Sequence, residues 1–179
     1  LVPAIADEAH KTGMRVGGHV PAFMTAEQAV LAGYDEIQHM HMVFLNFLYD
    51  KVQDTRTPAR FTAVAEHAAS VDPQSARVQA FLRLLKQRHV TLDPTLVVFE
   101  SLFTDRAGVV GAGTAAVADR MPPLVRRSLL EGGLPVPDGK DASYRQALTQ
   151  MQRMLMAVRS AGVPFVAGSP ATVMVVGLR

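Results

Sequence analysis

Two histidines, His19 and His39, each stand at the last position of a short apolar segment. Neutral imidazole is the most common metal ligand in proteins, and two rings that reach one point can share a divalent ion. A single histidine at such a position is more often a packed, hydrogen-bonded residue. Two of them at successive segment ends, 20 residues apart, leave a structural role and a shared metal site as alternatives.

Two further polar residues follow these segments. His41 completes a His39-x-His41 pair, and residues i and i+2 of an extended chain share a face, so His41 is a candidate for metal or substrate contact. A loop position just past the strand is the simpler interpretation. Thr95 follows Asp93-Pro94 at the end of a third apolar segment. We predict His41 and Thr95 as substrate-binding residues, with a turn-forming role as the alternative for Thr95.

The positioning elements are short strands that alternate with helical patterns. The predicted strands are residues 14–19, 36–39, 90–98 (with Pro94 marking the end) and 163–168. Helical spacing is found at residues 1–12, 25–33, after Pro58, at 78–85 and at 148–158. Thr25 and Gln28 form a capping-box pattern at the start of the second helix. This alternation predicts an α/β domain with a parallel sheet, whose strands end at one common edge where ligands bind.

Composition excludes several classes of function. The 18 basic and 16 acidic residues are scattered along the chain, so we expect no nucleic-acid partner. With no cysteine, disulfides and thiolate metal sites are excluded. No apolar run approaches the ~20 residues that span a bilayer, and we expect no membrane partner.

The two histidine-containing segments resemble a known family. Residues 9–19 (AHKTGMRVGGH) and 29–39 (AVLAGYDEIQH) are similar to the imidazolonepropionase-like and prolidase-like branch of the amidohydrolase superfamily. Residues 90–96 resemble the seventh strand of that branch, and residues 161–168 resemble the approach to its eighth. The similarity extends over nearly the whole chain, to about Gly168.

The resemblance implies a metal-dependent hydrolase on a (β/α)8 barrel, with one or two divalent ions that are usually zinc. His19 matches the ligand of the fifth strand and His39 the ligand of the sixth. In such enzymes the metal lowers the pKa of a bound water and polarises the scissile carbonyl. The reaction implied is hydrolysis of a C–N bond in a cyclic amide, a dipeptide or a similar small substrate.

The match also has limits. It corresponds to a partial TIM-type barrel, strands five to eight with their helices, over residues 1–168. Pro170 stands where the family has an aspartate, and residues 169–179 form an atypical tail. We therefore assign no catalytic residue and expect the isolated chain to be inactive. The Gly- and Pro-rich residues 104–141 are predicted to leave the carboxyl-terminal face as a lid.

A second function class stays open on the sequence. A half-barrel exposes sheet edges and apolar helix faces, which favours self-association. The alternative to a hydrolase fragment is therefore a non-catalytic α/β interaction module or a degenerate pseudoenzyme. Zinc binding that depends on His19 and His39 distinguishes the two.

Overall fold

A computed structural model describes residues 1–168, an α/β arrangement of helices around a small sheet. The helices are α1 Val2–Lys11, α2 Ala26–Leu31, α3 Met40–Leu45, α4 Ala59–His67, α5 Ala76–Gln87, α6 Leu96–Thr104, α7 Ala112–Ala115, α8 Pro123–Leu129 and α9 Asp141–Ser160. The strands are β1 Gly17–Gly18, β2 Glu36–Gln38 and β3 Thr91–Asp93, and two 3-10 turns lie at Ala68–Ser70 and Ala118–Arg120. The predicted tail, residues 169–179, lies outside the described residues.

The sheet is parallel, with its strands in the order β1-β2-β3. Gly18 pairs with Ile37, and Ile37 in turn pairs with Leu92. Helix α2 connects β1 to β2, and α3 to α5 connect β2 to β3. The predicted α/β class is confirmed, and all three strands end at one edge of the sheet.

The start of α2 follows directly from its sequence. The Thr25 side chain accepts a hydrogen bond from the Gln28 amide, and the Gln28 side chain accepts one from the Thr25 amide. These reciprocal bonds satisfy amide groups that a helix leaves free in its first turn. The predicted capping box is confirmed.

The third and fourth strands differ from prediction. The third strand ends at Asp93, and the chain enters helix α6 at Leu96, so its extension to residue 98 was wrong. Thr95 takes a left-handed conformation (φ 42°), which turns the chain out of the sheet. Residues 163–168 contribute a parallel bridge between Phe165 and Leu92 next to β3, rather than a full strand.

The core lies between the sheet and the longer helices. Ile37 of β2 and Leu92 of β3 are fully buried. On the helical side, Phe103 packs edge-on against Tyr144, which joins α6 to α9. The buried Gln150 side chain of α9 donates to the Val71 carbonyl at 2.8 Å. The sheet that carries the two histidines is therefore backed by a continuous apolar layer.

Residues 104–141 include the short helices α7 and α8, and their lid role stays a prediction. Backbone hydrogen bonds join the two ends of the segment. The Gly108 amide donates to the Leu130 carbonyl, and the Leu134 amide donates to the Leu102 carbonyl of α6. Between them, Leu124 of α8 is 76% exposed. Within residues 1–168, no helix combines the length and apolar character needed to cross a bilayer.

Candidate metal centre

The ends of β1 and β2 bring His19 and His39 together. Their Nε2 atoms lie 2.7 Å apart, and the ring centroids are 4.6 Å apart with the planes tilted by 53°. Parallel pairing of Gly18 with Ile37 places the two strand ends side by side, so residues 20 positions apart in sequence share one place at the sheet edge. At this separation one Nε2 donates its proton to the other.

The backbone and side chain of His39 are both held by the end of the third strand. Its amide donates to the Asp93 carbonyl at 2.6 Å, and its Nδ1 lies 2.7 Å from Thr95 Oγ1. His39 has φ 71° and Thr95 has φ 42°, values that non-glycine residues adopt rarely. Strained positions of this kind persist only where the surroundings fix them, and they concentrate at functional sites.

Thr95 also holds the His39 ring at Nδ1, where its hydroxyl can accept or donate the hydrogen bond. When Nδ1–H donates to Thr95 Oγ1, the lone pair of the ring lies on Nε2 and faces His19. A partner that fixes the far nitrogen in this way is the usual support for a metal-binding histidine. Thr95 is only 2% exposed, so a supporting contact is what its position shows, and substrate contact stays a prediction.

Both rings are neutral at pH 7. Desolvation, with smaller contributions from His19 and Arg60 and against the Asp93 carboxylate, lowers the pKa of His39 to about 4. Desolvation and the Arg60 charge also lower the pKa of His19. Neutral imidazole is the form that binds a metal ion, and the ring that donates at Nε2 must move that proton to Nδ1 before this nitrogen can bind.

His41 is buried beneath this pair. It belongs to helix α3, so both the extended-chain geometry and the loop position considered for it are wrong. Its ring is 1% exposed, lies between Phe61 and Phe99 at 5.0 and 5.2 Å, and is 5.7 Å from the His39 ring. Among residues 1–168 neither ring nitrogen has a hydrogen-bond partner, and burial lowers the His41 pKa well below the ordinary value. Its substrate-binding role stays a prediction.

Sequence reasoning did not single out Asp93 or Arg60. The Asp93 carboxylate follows the last buried residue of β3, accepts weakly from the Thr95 amide at 3.3 Å and packs against Gly168, where no side chain fits. The sequence signal that could have identified Asp93 was a carboxylate at the end of a predicted strand, like the two histidines at the ends of theirs. Arg60 belongs to α4, and no motif connects it with residues so far away in sequence.

The site offers a metal ion two nitrogens, half of a tetrahedral coordination shell. Two nitrogens bound to one zinc ion are about 3.3 Å apart, given Zn–N distances near 2.0–2.1 Å. The His19 and His39 Nε2 atoms, at 2.7 Å, must therefore separate by roughly 0.6 Å to hold it. Among residues 1–168, no three His, Asp or Glu side chains are grouped to form a complete site.

Comparisons of the chain with protein-family models, with curated proteins and with solved structures gave no match. The resemblance to amidohydrolases thus stays a prediction from the two histidine-containing segments.

Proposed function

We propose that this chain is the carboxyl-terminal half of a metal-dependent amidohydrolase barrel, with strands that correspond to the fifth to eighth of a TIM-type fold. In this proposal His19 and His39 hold a divalent ion, zinc by resemblance. The substrate is a small molecule with a hydrolysable C–N bond, such as a cyclic amide or a dipeptide. The observation that carries the proposal is the 2.7 Å approach of the two Nε2 atoms at the edge where parallel strands end.

The sheet supports this assignment. Its three strands are parallel and in sequential order, and residues around Phe165 lie beside β3 where a following strand belongs. Helical segments connect each strand to the next, which is the repeating unit of a barrel. The carboxyl edge of such a sheet is where barrel enzymes place their sites.

The chemistry divides between a bound ion and the protein. A divalent ion activates water near neutral pH and polarises a carbonyl group. His19 and His39 supply neutral nitrogens, and Thr95 holds the orientation of the His39 ring. The Asp93 carboxylate places negative charge near these rings and favours a cation there.

Zinc-dependent thermal stability tests the proposal. At 100 times its Kd, a ligand stabilises the folded state by about 2.7 kcal/mol, which raises Tm by roughly 5–10 °C for a chain of this size. We expect this shift for the unmodified chain, its loss in His19→Ala and His39→Ala, and its retention in His67→Ala, a variant at the far end of α4. An unmodified chain with no shift, or a shift that survives the double substitution, contradicts the proposal.

An interaction module is the second candidate. Phe165 and Val166, on the segment beside β3, are 41% and 48% exposed. Apolar side chains at an open sheet edge favour association with another chain or with a second copy. Absence of a zinc shift together with a sedimentation coefficient that rises with protein concentration supports this function over the hydrolase.

A further inference from the structure

An open cavity of about 450 Å³ lies in the segment between α6 and α9. Its walls come from the turn that holds Val110, from the 3-10 turn Ala118–Arg120, and from helix α8 with the residue Leu130 that follows it. Apolar side chains form most of the lining: Val110, Ala118, Pro123 and Leu130. Small-molecule sites in proteins have this size and a mostly apolar lining, and no residue of the histidine pair contributes to the cavity.

Backbone contacts hold the walls of the cavity together. The Gly108 amide donates to the Leu130 carbonyl at 2.8 Å, which joins the Val110 side to the end of α8. The chain also packs closely at Gly132, which has φ 78° and where a Cβ would lie 2.5 Å from the Ala107 amide nitrogen. The cavity is therefore formed before any ligand enters, which lowers the cost of binding.

The charged residues of the lining favour an anion. Arg126 Nη2 lies 3.3 Å from Asp119 Oδ1, but the Asp119 side chain is almost fully exposed, so this ion pair is weak. Among residues 1–168, no carboxylate forms an ion pair with Arg127. The neighbouring Arg120 and Glu131 offset each other, so the two lining arginines leave one net positive charge at the cavity.

Exposed apolar side chains flank the lining residues along the chain. Val109 precedes Val110, Val117 precedes the buried Ala118, and Leu124 opens α8, and all three are exposed. Apolar surface concentrated in one region is typical of an interaction site. The segment thus combines an apolar cavity, an apolar surround and an uncompensated positive charge.

We propose that this cavity binds a small amphiphilic anion, a medium-length alkyl chain that ends in a carboxylate. The chain lies against Val110, Ala118 and Leu130, and the carboxylate pairs with Arg127. The guanidinium group presents its donors in a planar fork that matches a carboxylate. This site is separate from the candidate metal centre and does not depend on its function.

NMR titration of the full chain with octanoate tests the proposal, with octanamide as the uncharged analogue and butyrate as the short-chain acid. We expect octanoate to bind at least about tenfold more tightly than butyrate, because each buried methylene group strengthens binding roughly fourfold. We expect it to bind about threefold to fivefold more tightly than octanamide, because an ion pair at an exposed site adds little. The amide signals that shift are expected to lie within residues 106–131.

Two matched pairs of variants separate direct contact from general effects. Arg127→Ala is expected to weaken octanoate binding about threefold to fivefold. Arg120→Ala removes the same charge from a residue that does not line the cavity, and its affinity is expected to stay within about twofold. Leu130→Ser is expected to weaken binding about tenfold. Leu31→Ser, at a leucine of similar exposure outside the cavity (54% against 43%), is expected to leave it unchanged.

Octanoate that binds no more tightly than butyrate or octanamide overturns the proposal. Equal losses in Arg120→Ala and Arg127→Ala, or in the two leucine variants, also overturn it, because they indicate attraction without a specific cavity. Binding to phosphatidylglycerol vesicles without binding to monomeric octanoate assigns the surface to a membrane instead and contradicts the proposal. None of these results affects the zinc experiment, since the two sites share no residue.

Discussion

His39 Nδ1 and Thr95 Oγ1 lie 2.7 Å apart, and both residues have positive φ angles. Two unfavourable backbone conformations thus face each other across the ends of β2 and β3. Each turns its chain from a strand into a helix, α3 after His39 and α6 after Thr95. The two strained turns bring Thr95 Oγ1 to His39 Nδ1, so Thr95 orients the His39 ring. This is the arrangement expected of a metal ligand whose position is fixed before the ion binds.

Thr95→Val tests this support. Valine has the same shape but cannot form a hydrogen bond with His39 Nδ1, so the ring loses the contact that holds its orientation. We expect zinc affinity, measured by calorimetry, to fall about tenfold. Thr91→Val is the control, because the Thr91 hydroxyl accepts from Arg15 at the start of the same strand. Equal zinc affinity in both variants contradicts a supporting role for Thr95.

The stability of the metal-free chain is expected to fall in mild acid. The pKa of His39 is about 4 in the folded state and 6.5 ordinarily, so the unfolded chain binds more protons between these values. The free energy of unfolding therefore decreases as pH falls from 6.5 to 4, by at most about 1.4 kcal/mol per pH unit for each proton taken up. Solvent near the pair reduces this slope. Urea denaturation across the pH range measures it.

A matched pair of variants assigns the slope to the site. His39→Asn removes the titrating ring and places asparagine, which tolerates positive φ, at the same backbone position. His89→Asn does the same at an exposed histidine with φ 54°. The first variant is expected to reduce the acid slope, leaving the part that comes from the lowered pKa values of His19 and His41, and the second to preserve the whole slope. Identical slopes in the two variants refute the assignment.

His41→Leu is expected to stabilise the chain at pH 7 by about 1 kcal/mol, because it removes two buried nitrogens that have no partner. Zinc affinity should stay within about threefold, since the ring lies below the pair. Phe99→Leu, at a neighbouring buried ring, is expected to destabilise by about 1–2 kcal/mol. A destabilising His41→Leu indicates a bound partner at the imidazole. A large loss of zinc affinity shows that His41 takes part in the metal centre.

Gly33 has a positive φ and also leaves no room for a side chain, and comparison with Gly13 separates the two effects. It has φ 107°, and a Cβ there lies 2.6 Å from the Ala6 Cβ of helix α1. Gly13, with φ 74°, has open space around it. Gly13→Ala is expected to cost about 1 kcal/mol of unfolding free energy, and Gly33→Ala about 1–3 kcal/mol more. Equal losses in urea denaturation contradict close packing of α1 at this turn.

Local signals explain what the sequence predicts correctly. The Thr25 capping box depends on four consecutive residues, so its signal can be read from the local sequence. The placement of His19 and His39 follows from parallel pairing, since strand ends gather at one edge whatever the exact register. Strand lengths were overestimated because Val97 and Val98 favour β structure, whereas the left-handed Thr95 diverts them into α6.

Other parts of the site have no local signature. His41 belongs to a helix that begins immediately after a positive-φ residue, and neither the His39-x-His41 spacing nor its hydropathy reveals that turn. Arg60 reaches the site only because Phe61 packs on His41, which is a tertiary contact. Whether such residues are exposed or buried depends on neighbours that are distant along the chain.

The hydrogen bonds around the two rings hold His39 at more points than His19. The amide of His39 donates to Asp93 and the next amide, of Met40, donates to Pro94, so deuterium exchange there requires the β2–β3 ladder to open. His19 follows a two-residue edge strand, and its carbonyl is held by the Tyr34 hydroxyl. Its ring is exposed apart from its hydrogen bond to His39. Widening the pair by moving His19 therefore breaks one side-chain hydrogen bond, whereas moving His39 also breaks the bonds at its amide and at Nδ1.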